Sequence, residues 1–171
     1  MTEPNNVVFN HPFACLVTGP SKSGKSQFVR NVLTYNNQLI NKKIERIIYC
    51  YSTWQKEFGD LIFKSVEPKV EFNLGLPEIE TVDPTKNNMI ILDDLMNESG
   101  NDTSICDLFC VDSHHKSISV FLMTQNLFPK SKNSRTISLN CDYIVLMTDP
   151  RDRAQIGFLS RNISKKLKVF D

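Results

Sequence analysis

Gly19-Pro20-Ser21-Lys22-Ser23-Gly24-Lys25-Ser26 is the stretch on which the reading of this chain turns. Ahead of it, Phe13 to Thr18 (FACLVT) is a short apolar run that stops at Gly19, as a buried parallel strand does when it delivers the chain to a loop. Behind it, Gln27 to Leu33 places Phe28, Val29, Val32 and Leu33 at helical spacing, and the asparagines from Asn36 offer a stop. A strand, a glycine-bounded loop ending in Gly-Lys-Ser and a helix together satisfy the pattern G-x-x-x-x-G-K-[ST] in its required context, and the chemistry of that pattern is phosphate binding. Gly19 and Gly24 permit backbone angles and a close approach that other residues resist, so successive N–H groups can ring a phosphate at the positive end of the helix. The candidate binding residues are Gly19, Pro20, Ser21, Lys22, Ser23, Gly24, Lys25, Ser26 and Gln27. Lys25 would bridge the β- and γ-phosphates of a nucleoside triphosphate, and the Ser26 hydroxyl would be a ligand of the accompanying Mg2+.

Further strands follow outward from this loop. Arg46 to Tyr51 (RIIYCY) and the shorter Val70 to Phe72 read as strands, and Met89 to Leu92 (MIIL) as another, entered from Asp83-Pro84 and closed by Asp93-Asp94. Ser119 to Thr124 and Tyr143 to Met147 repeat the pattern, closed by Gln125-Asn126 and Thr148-Asp149-Pro150. Between the second and third strands, Trp54, Phe58, Leu61, Ile62 and Val66 fall at three- and four-residue intervals, which predicts a helix packed on the sheet, with Trp54 read as core. Apolar strands alternating with helical patterns predict an α/β fold, a three-layer α/β/α sandwich with a mostly parallel central sheet of the P-loop NTPase kind. Its ligand crevice lies outside the carboxyl ends of the strands.

Polar residues that end apolar strands would converge at that crevice. Asp93 is assigned to the magnesium shell and Asp94 to orienting or deprotonating an attacking water, against the plainer reading that Asp94 caps the next turn. Gln125 would lie beside the γ-phosphate if its strand neighbours the Asp93 strand, with Asn126 a weaker candidate for that place.

Composition bounds the rest. The 171 residues fit one domain, 1–171, with 40% hydrophobic and 23% charged residues, the proportions of a globule rather than of a disordered or repetitive chain. A net charge of +1 gives no bulk electrostatic argument for nucleic acid or membrane, so any DNA contact is local. The five cysteines (Cys15, Cys50, Cys106, Cys110, Cys141) are an odd set and argue against a disulfide framework. The amino terminus lacks a basic region followed by an apolar stretch, and no run approaches the ~18 apolar residues of a membrane span, so a soluble intracellular protein without membrane contact is expected.

GPSKSGKS, the IIYCYSTWQ strand exit, NMIILDDL, SHHKSISVFLMTQN and RTISLNCDYIVLMTDPRD occur in that order from about His11 to Ile163. Together they resemble the genome-packaging ATPases of Maverick/Polinton-type elements and large DNA viruses, in the FtsK/HerA-type branch of the P-loop NTPases. The resemblance implies an ATP-driven motor using ATP and Mg2+, with ATP rather than GTP as its nucleotide. It further implies a homo-oligomeric ring, a hexamer, that pulls double-stranded DNA into a preformed capsid and contacts the capsid protein. Its implied location is the nucleus, the viral factory or the virion. In such rings a neighbouring subunit supplies a positive side chain to the γ-phosphate, commonly an Arg just before the glutamine-ended strand. Here that position reads Ser113-His114-His115-Lys116, so Lys116 is the nearest match, with Arg135 the rival and Arg151 a third. The chain ends at Lys165-Lys166-Leu167-Lys168-Val169-Phe170-Asp171, where members of the family usually continue, so a domain short of the family's C-terminal elements is expected.

Several signals weigh less. Cys106, Cys110 and His114 would share a helical face and could be read as a zinc site, but Leu108, Phe109 and Val111 suggest a segment packed on the sheet. The cluster Lys130, Lys132 and Arg135, with Asn133 and Ser134, could touch a DNA backbone or be an ordinary solvated loop. The alternatives in other classes are a small-molecule P-loop kinase, for which no arginine-rich lid is evident, and a nucleotide-binding interaction module without turnover.

Overall fold

The computed structural model describes residues 8–59, 61–95, 101–125 and 133–147. Six strands, β1 (Ala14–Thr18), β2 (Arg46–Tyr51), β3 (Val70–Leu74), β4 (Asn88–Asp93), β5 (Ile118–Thr124) and β6 (Tyr143–Leu146), form one sheet in the order β3-β2-β4-β5-β1-β6. Every neighbouring pair is parallel. The alternation of side chains along each strand sends two apolar sets to opposite faces. Cys15, Val17, Ile47, Tyr49, Met89, Ile91, Phe121 and Met123 pack on one face with Val29, Val32 and Leu33 of helix α1 (Lys25–Thr34). Ala14, Leu16, Ile48, Ile90, Val120 and Leu122 pack on the other with Ile105 of α4 (Asn101–Asp107) and with Leu108 and Phe109 of the π-turn that follows. The result is the three-layer α/β/α sandwich anticipated from the sequence, and burial on both faces explains the apolar runs of the central strands β1, β4 and β5, whereas β3 at the edge carries Glu71 and Asn73 and is only partly buried.

The connections position the crevice. The helix leaving β1 crosses one face on its way to β2, whereas α6 (Ser134–Asn140), between β5 and β6, contributes Ile137 to the other face. Adjacent strands β1 and β5 thus send their chains in opposite directions, which opens a cleft at their carboxyl ends.

Three local expectations are corrected. The segment predicted as one helix around residues 54–66 is a 3-10 turn, Lys56–Gly59, followed by a single helical turn, α3 (Leu61–Lys64). Phe58, Phe63 and Val66 are buried as apolar anchors, but Trp54 is 56% exposed, its ring meeting Tyr51, Phe58 and Phe72 edgewise rather than entering the core. Helix α1 ends at Thr34, just ahead of the asparagines expected to stop it, and Asn36 opens a separate short helix, α2 (Asn36–Leu39); Asn36 is buried, its amide donating to the carbonyl oxygens of Leu33 (2.6 Å) and Glu67 (2.8 Å). Val111, read as facing the sheet, is 51% exposed, because the π-turn Leu108–Asp112 rotates the residues after Phe109 away from the straight helical stripe. A short helix α5 (Ser113–His115) leads from it into β5. All five cysteines are free thiols; Cys106 and Cys110 bring their sulfurs to 3.8 Å, and no metal-binding group of three side chains occurs among the described residues. Among the described residues no helix is long and apolar enough to cross a membrane.

Beneath the opposite edge of the sheet, buried His11 shares hydrogen bonds with Ser119 Oγ (2.6 Å) and Ser117 Oγ (3.1 Å). Burial, reinforced by the charge of Lys42, lowers the imidazole from 6.5 to about 4. Between those values the native ring stays neutral while the unfolded chain takes up a proton, so stability is lost as the pH falls through that window. The urea midpoint is expected to drop from pH 6.5 towards 4, and His11→Gln to flatten that part of the profile.

Candidate active site

The loop between β1 and α1 is anchored at both sides of the cleft. Gly19 N–H donates to the Thr124 carbonyl oxygen of β5 at 3.2 Å, and Met147 N–H, just past β6, donates to the Thr18 carbonyl oxygen at 2.8 Å. Packing here is so close that a Cβ on Gly19 would overlap the Met147 carbonyl oxygen and approach Met147 Cβ to 2.8 Å. Gly19→Ala is therefore expected to force the loop and the β6 exit apart, costing about 1–3 kcal/mol. A melting temperature lowered by roughly 2–10 °C would register it. Lys22 (φ 63°) and Gly24 (φ 98°) are both left-handed, and such turns curl the backbone into an anion-binding concavity. Gly24 caps α1 with no side-chain hydrogen bond, and the first helical turn carries no acidic residue that would compete with an anion.

Lys25 reaches back across this loop. Its Nζ donates to the carbonyl oxygens of Gly19 (2.6 Å) and Pro20 (2.8 Å). Burial lowers the ammonium's pKa, and the charges of Asp94 and Asp93 oppose that shift, which places both carboxylates within electrostatic reach of the lysine. Asp93 ends β4, paired with Tyr51 of β2 on one side and Met123 of β5 on the other. Its carboxyl is pushed above the usual range, first by burial and then by Asp94, while Tyr49, Lys25 and Arg30 pull it down. Asp94 adopts a left-handed φ of 54°, a conformation that Asp tolerates better than most residues, and its N–H donates to the Met123 carbonyl oxygen at 3.3 Å. Gln125 follows β5 and donates from Nε2 to Asp94 Oδ2 at 2.9 Å. The adjacency of the Asp93 and Gln125 strands, on which the placement of Gln125 depended, is present in the sheet.

The residues fit Mg2+ and a nucleoside triphosphate on three grounds. The Ser23 hydroxyl oxygen is buried within the loop without a protein partner, the kind of orphan that a bound group satisfies. The left-handed Lys22 and Gly24 curl the loop backbone into a concavity suited to an anion. The donor set, a Ser26 hydroxyl at the start of α1 and the Asp93 carboxylate, is the hard oxygen chemistry Mg2+ takes.

The candidate fingers, the positive side chains that a neighbouring subunit would supply to the γ-phosphate, stand elsewhere. Lys116 precedes β5 at the amino-terminal edge of the sheet, about 20 Å along a seven-residue strand from Gln125. Its Nζ lies 3.8 Å from Asp112 Oδ1 and 3.5 Å from the Ile79 carbonyl oxygen. Arg135 falls in the first turn of α6, and its side chain, like that of His114, lies outside the described residues. Asn126, Lys130, Lys132 and Arg151 lie outside them altogether.

Sequence reasoning missed Tyr49, whose hydroxyl donates to Asp93 Oδ2 at 2.8 Å, and Arg30, whose guanidinium lies 5.3 Å from the Phe63 ring centroid. Burial, then the charge of Asp93, keeps the phenol protonated. The available signal was a phenol in the apolar middle of β2, since a buried tyrosine hydroxyl requires a partner.

No protein-family model matches the chain, and no curated protein matches it in sequence. Solved structures do match in fold. The genome packaging NTPase B204 from Sulfolobus turreted icosahedral virus 2, in complex with sulfate, is 16% identical with a TM-score of 0.58, covering 92% of this chain and 88% of that one. The same protein with ATP-gammaS has a TM-score of 0.54 at 16% identity, covering 98% and 90% of the two chains. The cytoplasmic domain of EssC has a TM-score of 0.56 at 11% identity, with 94% of this chain matched but only 37% of EssC's. The chain shares with these neighbours the α/β fold of the P-loop NTPases.

Proposed function

We propose that this chain binds Mg-ATP at the Gly19–Gln27 loop and hydrolyses it to drive translocation of double-stranded DNA, as a packaging motor of virus-like elements. The observation that carries the reading is the meeting of Lys25, Asp93, Asp94 and Gln125 at the carboxyl ends of β1, β4 and β5. The Gly19 and Pro20 carbonyl oxygens that now hold the Lys25 ammonium would give way to β- and γ-phosphate oxygens, stronger acceptors for the same charge. When bound, Mg2+ supplies charge neutralisation at the phosphate oxygens, and Ser26 with Asp93 would hold it. Asp94 takes the proton of the attacking water as its oxygen bonds to the γ-phosphorus and the bond to ADP breaks. Gln125, already hydrogen-bonded to Asp94, orients that water from the other strand end. Water rather than a metabolite is the acceptor this pair favours, which argues against the kinase alternative.

The charge opposite the γ-phosphate would come from a second copy of the chain. Lys116 lies at the far end of its own β5 from Gln125, away from its own site, which supports a role towards a neighbour's site in a head-to-tail ring. Arg135 is the second candidate for the same place. ATP hydrolysis measured over a protein concentration series, with and without double-stranded DNA, tests the motor reading. Specific activity that rises with concentration and with DNA supports an assembling translocase. Activity independent of both would refute it.

A further inference from the structure

We propose that Tyr49 is a positioning residue for the metal carboxylate: its hydroxyl holds Asp93 Oδ2, so that Oδ1 is presented to Mg2+. The inference rests on the nucleotide-site reading above and deepens it.

Tyr49 pairs with Ile91 across β2 and β4, and Asp93 lies two residues further along β4 on the same face of the sheet. That diagonal is within reach of a long aromatic side chain, and the hydroxyl closes it at 2.8 Å. The ring is held on several sides. It is 1% exposed, with the ring centroids of Phe58, Phe63 and Phe72 at 5.1, 5.6 and 5.6 Å. A ring packed so tightly delivers its hydroxyl to one place. A free carboxylate can turn about its terminal torsion and present either oxygen, so fixing one oxygen removes a rotation that metal binding would otherwise have to freeze. Partners of this kind, which touch a ligand but not the metal, commonly contribute 10–100-fold to metal affinity. A purely structural phenol, by contrast, is replaceable by Phe with no change in what Asp93 can bind.

Tyr49→Phe keeps the ring and removes the hydroxyl. Mn2+ binding to the protein with saturating AMPPCP, followed by electron paramagnetic resonance, is expected to weaken about 10-fold. AMPPCP binding in EDTA is expected to stay within about two-fold, because the phosphate loop is untouched. In an Asp93→Asn background, where the metal carboxylate is already gone, adding Tyr49→Phe is expected to change Mn2+ affinity by less than about two-fold. Mn2+ affinity unaltered by Tyr49→Phe, or a full further loss in the double variant, overturns the inference while leaving the nucleotide site standing. A wild-type chain that binds neither AMPPCP nor its Mn2+ complex removes both.

Discussion

Lys25→Ala is expected to weaken Mg-ATP binding about 10–100-fold and to lower the hydrolysis rate about 10²–10³-fold. The binding effect follows from hydrogen bonds to a charged group, which contribute roughly 1.5–3 kcal/mol. The larger rate effect follows because charge builds on the γ-phosphoryl group during transfer, where a preorganised donor is worth about 10²–10³. Folding should be little disturbed. Without nucleotide the ammonium binds the Gly19 and Pro20 carbonyl oxygens within electrostatic reach of Asp93 and Asp94, and the Pro20 contact is solvent-exposed, so water can replace it. Titration calorimetry with AMPPCP and Mg2+ checks the first number and a phosphate-release assay the second. An affinity within about two-fold of the wild type would mean that the lysine does not reach the phosphates.

Asp94→Asn separates turnover from binding. The left-handed φ of 54° at this residue is one that Asn tolerates as well as Asp, so the backbone exit from β4 is kept. Asn also retains a carbonyl oxygen to accept from Gln125 Nε2, preserving the contact across the two strand ends. What would be lost on the proposed reading is the group that accepts the water's proton, and kcat is expected to fall about 10²–10⁴-fold. Mg-ATP affinity is expected to hold or to rise, because a negative charge near the triphosphate has been removed. A kcat within about three-fold of the wild type would return Asp94 to the plainer role of capping the turn after β4.

The parts of the site that local sequence encodes were legible in it. A strand, the loop from Gly19 to Ser26 and a helix announce themselves because each glycine and the terminal Lys-Ser answer a local steric or chemical demand. The β4 and β5 ends were legible too, since polar residues that close wholly apolar strands have one edge of the sheet on which to meet. The segment after β2 misled because a periodicity of three and four residues runs across a break: Phe58 is buried from the 3-10 turn and Val66 from the chain beyond α3, and Phe63, outside that spacing, is buried from α3 itself. Trp54 shared that spacing but precedes both turns, and is exposed. Val111 failed for a related reason, as the π-turn breaks the phase that a straight helix would keep. Tyr49 was unread as a functional residue because its partner, Asp93, is set by strand order, and no local pattern states that β2 lies beside β4. The finger is subtler still: Lys116 acts, on this reading, between copies, and strand and helix periodicities within one chain mark only that chain's own core.

The most direct test is ATP turnover by the purified chain at saturating Mg-ATP, run beside an EDTA control and the Asp94→Asn variant, with AMPPCP affinity measured on the same samples. Phosphate release that needs the metal and collapses in Asp94→Asn, while AMPPCP affinity is kept, is the expected result. AMPPCP bound tightly by a wild-type chain that releases no more phosphate than Asp94→Asn would contradict hydrolysis at this site and leave a nucleotide-binding module in its place.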